Sequence, residues 1–230
     1  MPDNIASPFI AHPLVRERTL TLIYAPEGDN SGSVLAQILA MHVAAGIDVY
    51  SLDFPERRPV IYLGLCGRSM RVYDLKKAWR EKIDPGGKVL SKATFQFLQS
   101  SQPANLRSEK ARKALIDWIE GRDAAFQRGG AAPLGLIVID PLRNALPRGR
   151  LTHEHVIESA LAFVREVWER GIRAAIFFVV EGDQQGKRPN CHDRLTDSAQ
   201  LFLSTTAHSG TPASPEPFKA AFNRTSDATV

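Results

Sequence analysis

Cysteine is scarce in this chain. Cys66 and Cys191 are the only two and lie far apart, so sequence neighbours build neither a disulfide framework nor a paired-thiolate metal site. A reducing compartment is the expectation. Long apolar runs are missing as well: no stretch approaches the roughly 18 residues a membrane helix needs. The first residues lack a basic segment followed by an apolar core, so a soluble, cytoplasmic protein with no membrane partner is expected. A strong charge of one sign is also missing. Lys and Arg number 29 against 25 Asp and Glu, a net charge of +4. That balance admits a polyanionic partner without marking one. What remains is ordinary globular composition, 43% hydrophobic and 23% charged, in 230 residues that suffice for one sizeable core.

The stretch that organises the chain runs from Thr19 to Gly46. Thr19–Tyr24 reads as a buried strand, Ala25–Gly32 as a loop of small and polar residues, and Ser33–Ala45 as a helix ended by Gly46. A strand feeding a glycine-bearing loop and then a helix is the layout of a phosphate-binding loop, where backbone N–H groups and a helix N-terminus face an anion. Its signature is G-x-x-x-x-G-K-[ST]. The lysine is missing: the first lysine of the whole chain is Lys76. Gly28, Asn30, Ser31, Gly32 and Ser33 are the candidate nucleotide-binding residues. The plain alternative is a tight turn with Ser33 as the helix cap.

Strands and helices alternate after that. Strands are predicted at Val60–Leu65, Ala93–Gln99, Leu134–Ile139, Ala174–Val180 and Leu201–Thr205. Helices are predicted over Asp74–Lys82, from a Ser108 cap to Glu120, from a Thr152 cap to Arg170, and near Cys191–Ala199. Strands that read as continuous apolar runs between helices indicate an α/β fold with a mainly parallel sheet. Residues 1–18 form an N-terminal arm, 19–206 the α/β domain and 207–230 a flexible C-terminal tail. Ligands of such sheets bind at the carboxyl ends of strands, which selects Ala25–Ser33, Cys66–Gly67, Asp140 and Val180–Asp183.

LGLIVIDPLRNAL resembles a Walker B strand, an apolar run ending in an aspartate that holds Mg²⁺, and the opening unit stands where a Walker A motif belongs. With RPVIYLGLCG and AAIFFVVEGDQQGKR as further core strands, residues 15–205 resemble the RecA-like P-loop NTPases. Within them the resemblance is to RepA-type hexameric plasmid-replication helicases. It implies a RecA-like fold, ATP and Mg²⁺ as cofactors, Asp140 as metal ligand, and self-association or a RecA-like partner subunit. Carried over position by position, most of the chemistry is missing. The Walker A lysine falls on Ser31 or Gly32, and the Ser/Thr after it on Gly32 or Ser33. The glutamate that orients water falls on Cys66, and the γ-phosphate sensor on Val180 and Glu181. Losing the lysine alone weakens phosphate binding roughly ten- to a hundred-fold, at about 1.5–3 kcal/mol for a charge-assisted hydrogen bond.

The expectation is therefore a RecA-like protein with a degenerate Walker A, a pseudo-ATPase that hydrolyses weakly or not at all. Its setting would be an assembly for DNA replication, plasmid maintenance or a mobile element. Two alternatives stay open: an active helicase-type ATPase with a variant loop, and a regulatory or scaffolding domain that binds a protein and no nucleotide or other cofactor. The resemblance also places Arg143, Lys187, Arg188 and Arg194 in loops that meet DNA. Scattered solvated charges are the competing reading, since no aromatic is interleaved for base stacking.

Overall fold

The computed structural model describes residues 9–26, 28–49, 52–65, 70–84, 95–99, 104–147, 150–184, 188–205 and 220–224. A short hairpin, β1 (Phe9–Ala11) and β2 (Val15–Arg16), leads into β3 (Leu20–Ala25) and α1 (Ser31–Ala45). Then follow β4 (Val60–Gly64), α2 (Met70–Ile83), β5 (Phe95–Gln99), α3 (Glu109–Arg128) and β6 (Leu136–Asp140). A 3₁₀ turn (Leu142–Ala145), α4 (Glu154–Glu169), β7 (Ala175–Glu181), α5 (Asp193–Ser198), β8 (Leu201–Thr205) and β9 (Ala220–Arg224) complete the order.

Seven strands form one sheet in the order β5-β4-β6-β7-β3-β8-β9. All neighbours are parallel except β8 and β9, which pair antiparallel. The side-chain period of two splits each central strand between two cores. Leu22, Ile137, Ile139, Ile176 and Phe178 belong to the core that includes residues of α3 and α4. Ile23, Leu136, Val138, Phe177 and Val179 belong to the core under α1 and the N-terminal hairpin. Covering on both faces is why these strands read as unbroken apolar runs. Helix α1 meets the sheet through Ala36, Ala40 and Ala44, all fully buried, so its backbone lies close to the strands. It ends on Gly46 at φ 63°, whose N–H donates to the His42 carbonyl at 2.8 Å. Arg57 Cγ stands 2.9 Å from where a Cβ would sit, so glycine is required there for shape as well as for φ.

Several sequence-based boundaries shift. Helix α1 starts at Ser31 rather than Ser33, because the Asp29 carboxylate accepts the Ser31 N–H. Helix α2 begins at Met70 rather than Asp74. Helix α3 runs through Gly121 to Arg128. Its tertiary packing, with Ile119 and Phe126 buried on either side of Gly121, outweighs the roughly 1 kcal/mol a helical glycine costs. Within the expected tail, Ala220–Arg224 adds an edge strand to β8. Of the expected arm, Ile10, Ala11 and Val15 are part of the core.

Buried His42 makes this fold acid-sensitive. Its Nδ1 bonds the Ile47 carbonyl at 2.7 Å and its ring meets Trp79 edge-on. Burial pushes its pKa below the usual 6.5, against the opposing pull of the Ile47 carbonyl and Asp48. The unfolded chain then binds more protons than the folded one just below that pH, so stability is full above about 6.5 and falls as pH drops toward the folded value. Urea midpoints measured from neutral pH to mildly acidic pH should decline, and the decline should shrink in His42→Gln.

Candidate functional site

The carboxyl ends of β3, β6 and β7 meet at one edge of the sheet. Ala25 closes β3 opposite Glu181 of β7, and Asp140 closes β6 opposite Gly64 of β4. The chain leaving β7 lies directly on β3: Gly182 N–H donates to the Ala25 carbonyl at 2.7 Å. A Cβ at Gly182 would stand 2.6 Å from that same oxygen, so only glycine permits the approach. Gly182→Ala should therefore destabilise by about 1–3 kcal/mol, the usual cost of forcing extra volume into a packed contact. Thermal unfolding measures it; an unchanged Tm would mean the loop yields freely.

Between β3 and α1 the loop turns tightly. The Asp29 N–H donates to the Pro26 carbonyl at 2.9 Å, with Gly28 at φ 77° inside the turn. The Asp29 side chain then folds onto the helix start. One oxygen accepts the Ser31 N–H at 2.9 Å and the other accepts the Ser31 hydroxyl at 2.8 Å. Asn30 is the cap residue by position, but its side chain makes no capping bond; its carbonyl receives the Val34 N–H at 3.0 Å. Gly32 is buried against Ala25 and Tyr24, with a prospective Cβ at ordinary 3.5 Å contacts.

Ser33 does not cap α1. Its hydroxyl donates to Asp140 Oδ1 at 2.7 Å. The other oxygen, Oδ2, accepts the Tyr62 hydroxyl from β4. Strand parity explains the meeting: Tyr62 lies opposite Val138, and Asp140 is two residues on from Val138, so both polar groups lie on the face that α1 covers. Asp140 is 2% exposed. Burial raises its pKa above the usual carboxylate range, while the bonds from Tyr62 and Ser33 pull it back. Because the folded state then holds the proton more tightly than the unfolded chain, this group's contribution to stability is full below about pH 3.8 and is lost as pH rises through the folded value. Nearby, Tyr24 bonds Ser204, and burial together with Asp183 raises the pKa of its hydroxyl.

No family model matches the chain, and no curated protein is significantly similar to it in sequence. Solved structures are similar in shape. A KaiC-like protein from the hyperthermophilic archaeon Pyrococcus horikoshii superposes with a TM-score of 0.50 over 89% of this chain and 84% of its own, at 14% identity. The fold is RecA-like. At that identity the likeness concerns the fold alone.

Of the candidate residues, Ser33 meets Asp140, Gly28, Asn30, Ser31 and Gly32 lie in the loop and first turn just before Ser33, and Glu181 ends β7 opposite Ala25. Cys66 and Lys187 lie outside the described residues. Of the basic residues described, Arg143 and Arg194 each pair with carboxylates of the chain. Arg143 holds both oxygens of Glu181 at 2.8 and 3.0 Å. Arg194 faces Glu154 at 2.8 Å and Glu158 at 3.3 Å on α4. Arg188 contributes its carbonyl to the Asp183 N–H at 2.8 Å. Among the described residues no group of three or more His, Cys, Asp or Glu side chains could hold a metal ion. Burial pushes the Cys191 thiol up to about 12, so it stays protonated and unreactive. Sequence reasoning missed Tyr62. Its signal was a lone hydroxyl inside the otherwise aliphatic VIYLG, since a buried tyrosine O–H needs an acceptor.

Proposed function

We propose that this RecA-fold chain is a pseudo-ATPase, a subunit that kept the architecture of a nucleotide-hydrolysing protein without a working triphosphate site. The observation that carries the reading is the Asp29 carboxylate on the first turn of α1, holding the Ser31 N–H and hydroxyl. A helix N-terminus offers a phosphate its N–H groups and a favourable dipole of about 0.3–1 kcal/mol. Here the chain's own anion is already there, and it repels a second. The bond from Ser33 to Asp140 favours alignment of Ser33 with the Walker A Ser/Thr position and of Gly32 with its lysine, so the cation that would balance the phosphates is replaced by a hydrogen atom. Both oxygens of Asp140, the one carboxylate left from the expected catalytic set, are engaged by protein hydroxyls. These residues do not fit Mg²⁺-triphosphate, and no hydrolytic step is derived through it.

The protein would then act by association, with itself or with a RecA-like partner subunit. The resemblance to RepA-type helicases extends that role to an assembly in DNA replication, plasmid maintenance or a mobile element, with DNA contact left to the loop that carries Lys187 and Arg188. No helix among the described residues is long and apolar enough to cross a membrane.

The test is binding and turnover on the intact protein. A ligand at a hundred times its Kd adds about 2.7 kcal/mol of stability, or roughly 5–10 °C of Tm at about 2–4 °C per kcal/mol for a chain of this size. The expected result with millimolar Mg-ATP is no shift and no phosphate release. A shift with turnover that Asp140→Ala abolishes would instead establish an active ATPase with a variant loop.

A further inference from the structure

From the Ser33–Asp140–Tyr62 geometry we infer that the Tyr62 hydroxyl occupies the face of Asp140 where a metal-bound water would bond. The acidic strand end thus becomes a cation-free keystone that fixes α1 onto β4 and β6. The inference rests on the pseudo-ATPase reading of this edge and goes further, because it names what replaces the metal.

Three elements converge on one carboxyl group. Ser33 comes from the first turns of α1 and donates to Oδ1 at 2.7 Å. Tyr62 comes from the middle of β4 and donates to Oδ2. Tyr62 is fully buried and Asp140 nearly so. A carboxylate that ligates a hard divalent cation must present an oxygen to the ion or its water shell. In this site Oδ1 accepts the Ser33 hydroxyl and Oδ2 accepts the Tyr62 hydroxyl, with Asp140 only 2% exposed. The groups that act on Asp140 are Tyr62 and Ser33, both uncharged hydroxyl donors. A hydroxyl fixed on a strand keeps α1 seated whether or not nucleotide or metal is present. The elements that in an ATPase would respond to the metal are then held in a single state.

The experiment follows thermal unfolding of the full chain in chelator and in millimolar Mg²⁺, with no nucleotide, for wild type, Tyr62→Phe and Asp140→Asn. Wild type is expected to show one Tm in both conditions. Tyr62→Phe strips the hydroxyl and leaves Oδ2 unmet, so its Tm should fall in chelator and recover in part with Mg²⁺. Asp140→Asn keeps an acceptor for Tyr62 and a donor for the Ser33 hydroxyl, so its Tm should match or exceed that of wild type and ignore Mg²⁺. If Tyr62→Phe does not fold, the asparagine variant decides: a wild-type or higher Tm supports the keystone, and a clear loss overturns it. A Mg²⁺-dependent Tm in wild type that Asp140→Asn abolishes overturns it as well, as does a Tyr62→Phe protein indifferent to Mg²⁺. Failure of the wider pseudo-ATPase reading would appear separately, as ATP binding by wild type.

Discussion

Arg58→Ala is expected to lower the unfolding free energy by about 3–5 kcal/mol, the cost of breaking a buried ion pair from one side. Arg58 is 2% exposed and bonds Glu17 at 2.7 Å while also facing Glu56. Glu17 is shared with Arg173 at 2.6 Å. Removing the guanidinium takes one of two cations from the largely buried Glu17 and leaves the surface residue Arg173 as its remaining partner. The side chain is also a packing element: a Cβ on Gly135 would lie 2.5 Å from Arg58 Cβ, so the arginine stem fills the space that glycine vacates. Urea denaturation should report the loss as a lower midpoint at unchanged slope. Glu56→Gln should cost far less, since that carboxylate is 37% exposed and water can take over its partner. An Arg58→Ala protein as stable as wild type would mean the cluster contributes no net stability.

The location gives this cluster its meaning. Glu17, Arg58, Gly135 and Arg173 each lie just before a strand, ahead of β3, β4, β6 and β7 respectively. All four strands are parallel, so the ion cluster binds together the amino ends of the sheet. The carboxyl ends, near Asp29, Ser33, Tyr62 and Asp140, are held by hydroxyls, a glycine contact and the surface Arg143–Glu181 pair. The ion cluster and the candidate site thus lie at opposite edges, and no residue is shared between them.

The fold was legible because both faces of the sheet are covered. Continuous apolar runs such as LIVID and AIFFVVE have no soluble alternative to a buried parallel strand, and their order carried the RecA-like topology. Boundaries were legible where a backbone conformation demanded a residue, at Gly46 and Gly171, both with positive φ. They were not legible where a side chain remote from the pattern decided, as when Asp29 advanced the start of α1 by two residues. The expected arm and tail illustrate a second limit. Phe9–Ala11 and Ala220–Arg224 are too short to show a period, and only their partners across space make them strands. At the site, the missing lysine was visible as composition. The Tyr62 bond was not, because it joins strands separated by 78 positions and depends on strand parity.

That missing lysine also defines the second large expected effect. Gly32→Lys, at the position Ser33 assigns to it, should fold, since a Cβ there meets Ala25 and Tyr24 at 3.5 Å and replacing a helical glycine gains up to about 1 kcal/mol. A restored ammonium contributes about 1.5–3 kcal/mol toward a phosphate. The Asp29 carboxylate works against it: two like charges about 4 Å apart repel by roughly 1 kcal/mol at the dielectric of water and about 4 at that of a protein surface. The opposing terms are of the same size, so Gly32→Lys alone should leave Mg-ATP binding weak. Combined with Asp29→Asn, which keeps an acceptor for the Ser31 N–H and removes the charge, it should strengthen binding by about ten- to a hundred-fold. Isothermal titration of the two single variants and the double variant against Mg-ATP measures the coupling directly. If Gly32→Lys alone binds as tightly as the double variant, Asp29 does not stand in the phosphate's place. If the double variant binds no better than wild type, the loop has lost the shape of a phosphate cradle as well as its charge.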